Sequence, residues 1–429
     1  MKNVAVFGLG FVGLPLALSF AMRGCKVVGV DVDPVLVEEL NEGITHHLEE
    51  YRGKGIQDIL REEIAEGRFR ATLDCQKAMA VCDHIVVTVG IPVSEGRHDL
   101  TPLVTVCRSI AQGLKKGDLV LIRSTVIPGT TRDVLLPILE ESRLAAGRDF
   151  FLAYCSERIA EGRAFYEFES MPAALAGIDE ASAAKAEELI AIVTKAPIIK
   201  ASKIEVVETA KVIENISRDV DIAMVNEFAR FTRAMGLNIF EVVQVANTHQ
   251  RVNLLTPGPG VGGYCLPNAL YYLLPKAREL GLELPLLTTA RRVNDEVPRQ
   301  VAALALRNLM VPPREATLAV LGLAMKDYSN DDRISPATEV IRYLLEAGCR
   351  VKAYDPAVPS PYPFKVDSLE EALQGAHGVL VLAKQHGIDY RNLSLFKEKM
   401  AGCRPFIVDT KNIYKPEEVA ELGFHLETL

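Results

Sequence analysis

Several features that would place this 429-residue chain in a special class are missing from its sequence. No apolar run reaches the ~18 residues of a membrane span, so no membrane partner is expected. The net charge of −8 argues against general nucleic-acid binding. The eight cysteines form no CxxC pair, so we interpret them as reduced thiols of a cytoplasmic protein. We expect no metal site.

The apolar N-terminus could be mistaken for an export signal. Four residues interrupt the apolar stretch, namely Gly8, Gly10, Gly13 and Pro15, and no cleavage site follows. The same residues fit a folded element better, so we expect no signal peptide.

A dinucleotide-binding pattern occupies the first thirty residues. A short apolar strand, 4–7, runs into the loop GLGFVG, a helical run, a second strand and then Asp31. An acidic residue ~20 positions after G-x-G-x-x-G is the spacing of a Rossmann fingerprint. The carboxylate would bind both ribose hydroxyls and repel a 2′-phosphate, which favours NAD over NADP. The predicted cofactor residues here are Gly8, Gly10, Phe11, Val12, Gly13 and Asp31.

Further βα units follow this fingerprint. In a parallel sheet the functional loops lie at the carboxyl ends of the strands. The stretches STVIPGTT and SERIAEGRA therefore place Thr125 and residues 157–161 over the cofactor crevice. Helix capping by Ser124 and Thr125 is the alternative interpretation.

One long helix is predicted from about residue 203, because apolar residues recur every three or four positions and no Gly or Pro occurs before Gly236. Its length suggests that it spans domains or a subunit interface. Glu208, Lys211 and Asn215 share one face of it. That face is either a solvated charged surface or part of a site.

A glycine-rich loop, TPGPGVGG, precedes Cys265, and a helix is expected just after it. A thiol in that position is either a nucleophile or a small buried hydrophobe. Another helix should follow before the hinge-like MVPPREA.

A second βα series begins after the hinge, and its last strand is predicted at CRPFIVDTKNI. It contains no G-x-G-x-x-G, so a different nucleotide is expected there. The predicted fold is α/β, with two Rossmann-like doubly wound domains joined by a central helical region. The predicted bounds are 1–200 for the NAD-binding domain, 201–310 for the central helical region and 311–429 for the C-terminal α/β domain.

An NAD domain, a thiol and a second nucleotide-type domain together suggest a four-electron oxidation. A thiol can add to an aldehyde, and the adduct can be oxidised to a thioester that water hydrolyses to an acid. A simple alcohol dehydrogenase needs no such cysteine.

The chain resembles the nucleotide-sugar 6-dehydrogenases, a group that acts on UDP-glucose, GDP-mannose or UDP-N-acetylmannosamine. The resemblance covers nearly the whole chain. HQRVNLLTPGPGVGG is most similar to the N-acetylhexosamine branch. The other motifs that carry it are GLGFVGLPLA, STVIPGTT, SERIAEGRA, ETAKVIEN, VNEFARF, LGLAMKDYSNDDRISPA and AYDP.

This resemblance implies catalytic roles. Cys265 matches the nucleophile, Lys211 the lysine that stabilises an oxyanion, and Asn215 an oxyanion or substrate contact. Thr125, which also belongs to the cofactor site, and Glu161 match residues that place the hydrolytic water.

The resemblance also implies a UDP-sugar site and an assembly. Residues 311–429 would bind the UDP, and a homodimer would form through the central long helix. Arg251 matches an arginine that reaches the substrate, in many members from the neighbouring subunit. The implied substrate residues are Glu157, Arg158, Lys211, Asn215, Arg251, Asn253, Gly258, Gly260, Gly262, Gly263, Lys326 and Arg333.

The sequence departs from the family pattern just after the cysteine. Members usually carry Asp four residues on, whereas this chain has Ala269, and Asn268 stands where the UDP-glucose branch has Lys. Ser156 replaces a usual Pro, and VGIP replaces V-P-T-P. The missing Asp puts acid–base steps in doubt, which are typically worth ~10²–10⁴-fold in rate.

Three hypotheses remain open from the sequence. The first is a UDP-N-acetylhexosamine 6-dehydrogenase, with UDP-glucose as the alternative substrate. The second is an enzyme with impaired or altered chemistry because of Ala269. The third is a non-catalytic nucleotide-sugar binder, although a pure binder would need no thiol.

Overall fold

The computed structural model describes residues 2–94, 96–160 and 162–429. The chain forms two compact units. The first unit comprises Met1–Glu214 and Tyr271–Leu282, and the second comprises Asn215–Leu270 and Glu283–Leu429. The division between the units falls inside the predicted central region. The three-domain division of the sequence stays a prediction.

The elements are numbered in chain order. The strands are β1 Asn3–Phe7, β2 Lys26–Val30, β3 Glu50–Tyr51, β4 Lys54–Gly55, β5 Phe69–Thr72, β6 His84–Val87, β7 Val93–Ser94, β8 Arg97–His98, β9 Leu119–Ile122, β10 Phe151–Cys155, β11 Ala173–Gly177, β12 Ile198–Lys200, β13 Thr317–Leu321, β14 Arg350–Tyr354, β15 Gly378–Val381, β16 Phe406–Asp409 and β17 His425–Thr428. The helices are α1 Gly13–Ala21, α2 Pro34–Asn41, α3 Ile56–Ala65, α4 Cys75–Val81, α5 Thr101–Gly113, α6 Leu136–Leu139, α7 Ala164–Ser170, α8 Glu180–Ile190, α9 Ile204–Ala234, α10 Ile239–Ala246, α11 Cys265–Glu279, α12 Pro285–Arg307, α13 Pro336–Glu346, α14 Leu369–Leu373, α15 Leu393–Lys399 and α16 Pro416–Glu421. A π-helical turn spans Thr131–Leu135.

The first unit is built on an eight-stranded sheet in the order β12-β11-β10-β9-β6-β1-β2-β5. All neighbouring pairs are parallel except β10 with β11. The chain runs from β1 to β2 on one side and later adds β6 on the other. This reversal opens a crevice at the carboxyl ends of β1 and β6, where doubly wound sheets bind ligands.

The second unit contains a five-stranded parallel sheet in the order β14-β13-β15-β16-β17. Strand β13 is buried along its whole length and lies between β14 and β15, so it creates a second switch point. The strand expected to be the last is β16, but β17 follows it at the sheet edge. Its four residues are all half-buried and showed no apolar run in the sequence.

The predicted long helix is α9, with 31 residues. It ends just before Gly236, which adopts φ +72° and so stops the helix in a conformation that glycine tolerates. Within the second unit, Val225 and Ala229 of α9 share a core with Val297 and Val301 of α12. The predicted fold class, with two Rossmann-like halves and one long helix, is confirmed.

Candidate functional site

The first glycine loop follows β1 and has the geometry that its sequence predicts. Gly8 adopts φ +89°, and its N–H donates to the carbonyl of Val30 at 2.8 Å. A Cβ on Gly13 would overlap the carbonyl oxygen of Gly8, so only glycine lets α1 begin so close to β1. Gly10 is exposed, and a Cβ there would meet nothing within 4 Å. That open side and the N-terminus of α1 fit a dinucleotide pyrophosphate.

Asp31 has a structural role that the sequence pattern did not reveal. Its Oδ2 accepts the N–H of Leu9 at 2.7 Å, and its Oδ1 accepts the N–H groups of Val32 and Asp33. A carboxylate has about four acceptor positions, so capacity remains for a ribose hydroxyl. Asp31 therefore fixes the loop and fits the predicted contact with NAD.

The other two loop residues flank this surface. Phe11 is 43% exposed, and its ring centroid lies 5.1 Å from that of His47. Burial, with a smaller effect of His46, lowers the pKa of His47 to about 4. The imidazole is therefore neutral at physiological pH. Val12 is half-buried and immediately precedes α1.

A buried ion pair lies at the carboxyl ends of β9 and β10. Arg123 donates to Glu157, and both side chains are at most 10% exposed. Burial is the largest single influence and lowers the pKa of Arg123, but the charge of Glu157, its hydrogen bond and smaller neighbouring contributions together outweigh burial and raise that pKa. Glu157 also accepts the N–H groups of Arg158 and Ile159 at 2.6 and 2.9 Å. Arg123 is not among the residues predicted from the sequence, although its position at a strand end was a usable signal.

Arg158, predicted to contact substrate, is engaged within the first unit. Its guanidinium lies 2.8 Å from Glu214 and donates to the carbonyl of Pro172 at 2.9 Å. The substrate roles of Glu157 and Arg158 stay predictions. Glu161 lies outside the described residues.

The loop that carries Thr125 has an unpaired buried hydroxyl. The Oγ of Ser124 is buried and has no hydrogen-bond partner within the described parts of the chain. Thr125 itself is half-buried. The next helical segment starts only at Thr131, with Thr130 at its cap position, so neither Ser124 nor Thr125 caps a helix. The capping alternative is therefore wrong.

The shared face of α9 is not a solvated charged surface. The Glu208 carboxylate is fully buried and accepts the N–H groups of Gly129 and Thr131 at 2.6 and 3.0 Å. Burial raises the pKa of Glu208. One turn further, Lys211 is half-buried, and Asn215 is 8% exposed. Glu208 ties α9 to the loop that carries Thr125.

The second glycine loop packs into the second unit. Gly260 adopts φ +139°, and a Cβ there would lie 3.1 Å from Cγ of Pro298. A Cβ on Gly262 would lie 2.8 Å from the carbonyl oxygen of Ile334. The N–H of Gly263 donates to the carbonyl of Arg333 at 3.0 Å. The structure thus brings the predicted substrate loop against the segment that carries Lys326 and Arg333.

That segment, 322–335, is fixed by two buried carboxylates that the sequence analysis missed. Asp355, within the AYDP motif, accepts the N–H groups of Leu323 and Ala324 at 2.7 and 3.2 Å. Asp331 receives two parallel hydrogen bonds from the Arg333 guanidinium at 2.8 and 2.6 Å. Arg333 remains 45% exposed, as a cation facing a phosphate requires.

Cys265 is the first residue of α11 rather than the last residue of the loop. Its side chain is exposed, and the positive end of the helix dipole lies beside it. Ala269, one turn further along α11, is 2% exposed. Asn268 donates to the carbonyl of Tyr264 at 2.9 Å.

Arg251 and Asn253 are both exposed, in the turn after α10. The amide of Asn247 closes this turn, because it donates to the carbonyl of Leu254 at 2.9 Å and accepts that residue's N–H at 2.7 Å.

Two properties of the described residues bear on other classes of site. No helix among them is both long and apolar enough to cross a membrane. Across residues 2–94, 96–160 and 162–429, no group of three His, Cys, Asp or Glu side chains could hold a metal ion.

Comparison with known proteins identifies three consecutive domains of the UDP-glucose/GDP-mannose dehydrogenase family. The NAD binding domain matches residues 2–196, the central domain 205–296, and the UDP binding domain 319–416.

Individual relatives match along most of their length. UDP-N-acetyl-D-mannosamine dehydrogenase of Pyrococcus horikoshii is 35% identical over 97% of both chains. UDP-N-acetyl-D-glucosamine 6-dehydrogenase of Pseudomonas aeruginosa is 34% identical over 91% of this chain and 92% of the relative. A solved structure of the UDP-D-ManNAc dehydrogenase from Pyrococcus horikoshii superposes with a TM-score of 0.91 at 34% identity, over 100% of this chain and 99% of that one. This chain belongs to the UDP-glucose/GDP-mannose dehydrogenase family of NAD-dependent oxidoreductases.

Proposed function

We propose that this protein oxidises C6 of a UDP-N-acetylhexosamine, such as UDP-N-acetylmannosamine, from alcohol to carboxylate. The observation that carries the proposal is the exposed Cys265 at the end of the glycine loop, at the N-terminus of α11. The names of the relatives support the substrate class. The eight free thiols support a reducing, cytoplasmic location.

The cofactor surface of the first unit holds NAD in this proposal. Gly8, Gly10 and Gly13 let the backbone approach the pyrophosphate, and Asp31 accepts from the ribose. NAD, when bound, supplies the two-electron acceptor for each of two oxidations.

Cys265 keeps the substrate carbon on the protein between those oxidations. Its sulfur forms a bond to C6 of the aldehyde, giving a thiohemiacetal, and the second oxidation converts this to a thioester. Water then breaks the C–S bond, which releases the carboxylate and restores the thiol.

Lys211 and Asn215 stabilise the oxyanion in this scheme, because a cation and an amide N–H both favour developing negative charge. Thr125 and Glu161 orient the hydrolytic water. The buried, unpaired hydroxyl of Ser124, next to Thr125, supports a polar and hydrated loop there.

The second unit holds the sugar nucleotide. The backbone of Gly258, Gly260, Gly262 and Gly263, with Asn253, surrounds the sugar, and Lys326 and Arg333 meet the diphosphate. The hydrogen bond from Gly263 to the Arg333 carbonyl supports a single continuous surface.

A substrate panel tests the assignment. We expect the highest kcat/KM, measured as NADH formation, with UDP-N-acetylmannosamine among a panel that adds UDP-N-acetylglucosamine, UDP-N-acetylgalactosamine and UDP-glucose. A clear preference for UDP-glucose would replace the N-acetylhexosamine assignment with the alternative. Absence of NADH with every sugar, together with tight binding, would leave a nucleotide-sugar binder.

Ala269 favours a second candidate, an enzyme that stalls at the thioester. The position one turn after the nucleophile is apolar and buried, so it offers no carboxylate for the water step. Intact mass spectrometry during turnover would then show a persistent sugar adduct on Cys265, and Ala269→Asp would shorten its lifetime. Rapid turnover without an adduct excludes this candidate.

A homodimer through the central long helix is the assembly that we propose. Met224, Phe228 and Phe231 of α9 and Met235, which follows its last residue, recur at a spacing of three or four residues and are 39%, 42%, 65% and 58% exposed. Such an apolar stripe is typical of a surface that a partner covers. Light scattering should give a dimer for the wild type and a monomer for Phe231→Glu; a monomeric wild type would contradict the proposal.

Arg251 acts across this dimer in our proposal, which its exposure in the turn after α10 supports. We expect Arg251→Ala and Cys265→Ser to be inactive on their own. A mixture of the two variants should recover about a quarter of the wild-type activity. Half of the dimers are mixed, and one of their two sites is intact. No recovery in proven mixed dimers would place the arginine in its own subunit's site.

A further inference from the structure

We propose that Asn226, oriented by Asn294 and Asp219, is a positioning residue that holds the substrate-binding glycine loop. The inference rests on the proposed function and extends it to four buried polar residues of the second unit. They are Asp219, Asn226, Arg291 and Asn294, each at most 4% exposed.

The network starts at Asp219 of α9. Its Oδ1 accepts a hydrogen bond from Arg291 of α12 at 2.6 Å. Burial raises the pKa of Asp219, and the charge of Arg291 opposes this. The ion pair gives Asp219 a fixed orientation, in which it can only accept hydrogen bonds while it is charged.

Asn294 takes its orientation from Asp219. Its Nδ2 donates to the Asp219 backbone carbonyl and to Oδ1, both at 2.8 Å. An amide NH₂ has two hydrogens, so both are used here. The carbonyl oxygen of Asn294 therefore faces away from Asp219 and accepts from Nδ2 of Asn226 at 3.2 Å.

Asn226 connects this hydrogen-bond network to the glycine loop. Because its Nδ2 is held by Asn294, its Oδ1 faces the other way and accepts the N–H of Gly258 at 3.2 Å. Gly258 begins the glycine run that ends at Gly263, whose N–H is held by the Arg333 carbonyl. Both ends of the run are therefore attached to fixed backbone or side chains.

Packing alone does not explain these residues. The neighbouring positions on the same helices are apolar, namely Val225, Ala229, Val297 and Val301. Apolar residues of similar volume often replace a buried ion pair without loss of stability. A series of hydrogen bonds that ends on a loop N–H fixes the position of that loop. An apolar contact would not fix it in this way.

Asn226→Ala tests the inference, with Kd measured by calorimetry for UDP-N-acetylmannosamine and NAD separately. We expect a roughly 10–100-fold weaker Kd for the UDP-sugar, the loss typical of a misplaced binding group, and an unchanged Kd for NAD. Hydrogen exchange of the peptide 254–263 should rise. Asn226→Asp keeps an acceptor for Gly258 but replaces the donor to Asn294 with an oxygen, so it should also weaken UDP-sugar binding.

Thr232→Ala is the matched control. Thr232 lies on α9, is 5% exposed and donates only to carbonyls of its own helix. It should leave both Kd values unchanged. Asn294→Ala does not touch the loop, yet it should weaken UDP-sugar binding in the same direction as Asn226→Ala.

Two results would overturn the inference. One is a UDP-sugar Kd for Asn226→Ala within twofold of the wild type. The other is a result in which Asn226→Ala and Thr232→Ala both bind the UDP-sugar and NAD more weakly to the same extent and both have a lower Tm. That result would indicate a purely structural role. Failure of the proposed function is distinct, because the wild type itself would then bind the UDP-sugar without forming NADH.

Discussion

The two glycine-rich loops of this protein differ in where their supports lie along the chain. The first loop is held mostly by nearby residues, since Leu9 donates to Asp31 and Gly8 to Val30. The second is held by residues far from it in sequence, among them Asn226 and Arg333.

The difference reflects what each loop must do. A βαβ unit supplies the first loop with its strand, its helix and its acidic residue in one stretch of about thirty residues. The second loop joins α10 to α11 without a strand of its own, so its conformation depends on tertiary contacts with α9, α12 and the segment 322–335. Substitutions in each loop should separate these two kinds of support.

Cys265→Ser should have the largest effect and should separate chemistry from binding in the second loop. Loss of a covalent nucleophile typically costs more than about 10³-fold in turnover. The Kd of the UDP-sugar should stay within a few fold, because the loop backbone is unchanged. Cys403→Ser, at the other exposed cysteine, is the control and should behave as the wild type. Normal formation of the acid by Cys265→Ser would rule out the thioester route.

Gly262→Ala should impair the second loop alone. The new Cβ would lie 2.7 Å from Cδ of Pro336 and 2.8 Å from the Ile334 carbonyl, so the loop must move. A displacement of ~1 Å can cost about 10²-fold, and we expect a KM for the UDP-sugar raised by that order. The KM for NAD should not change. A parallel rise in both KM values would mean that the two loops are not independent.

Gly10→Ala and Gly13→Ala should show that the two glycines of the first loop have different roles. Gly10 faces the ligand, whereas Gly13 allows close packing. Gly10→Ala adds a methyl group to open space, so the Tm should hold while the KM for NAD rises about tenfold. Gly13→Ala collides with Gly8 and should lower the stability by about 1–3 kcal/mol. Thermal melts with and without NAD distinguish the binding defect from the packing defect. Equal melting temperatures for both variants would contradict the separate roles of Gly10 and Gly13.

His47, whose ring contacts the first loop, should give the smallest effect, as a pH dependence of stability. Its folded pKa of about 4 lies below the ordinary histidine value of 6.5, so the unfolded chain binds the proton more readily. The free energy of unfolding should therefore fall as the pH drops from about 6.5 towards 4, by at most about 2 kcal/mol at pH 5. Chemical denaturation of the wild type and His47→Gln should show a shallower fall in the variant. Identical slopes would mean that His47 titrates normally.

Local patterns account for what the sequence predicted well. The helical period over α9, the fingerprint around Gly8 and the buried β13 all depend on neighbours within one element or one βαβ unit. Asp31 was identified because its spacing is fixed by that unit.

The rest depended on residues that meet only in the folded chain. No spacing rule links Asn226 to Gly258 or Arg123 to Glu157, because each pair is brought together by tertiary packing. Glu208 was placed on a face correctly, but its burial against Gly129 follows from the loop after β9. Likewise, α11 starts at Cys265, where periodicity predicted a start just beyond it.

The ratio of NADH formed to UDP-sugar consumed decides whether the sugar undergoes two oxidations on this protein. It should be measured with limiting UDP-N-acetylmannosamine and excess NAD, with the product identified by mass. We expect two NADH per sugar and a C6 carboxylate, with no aldehyde released. One NADH per sugar with a free aldehyde would contradict it, since the carbon would then leave before Cys265 could hold it for the second oxidation.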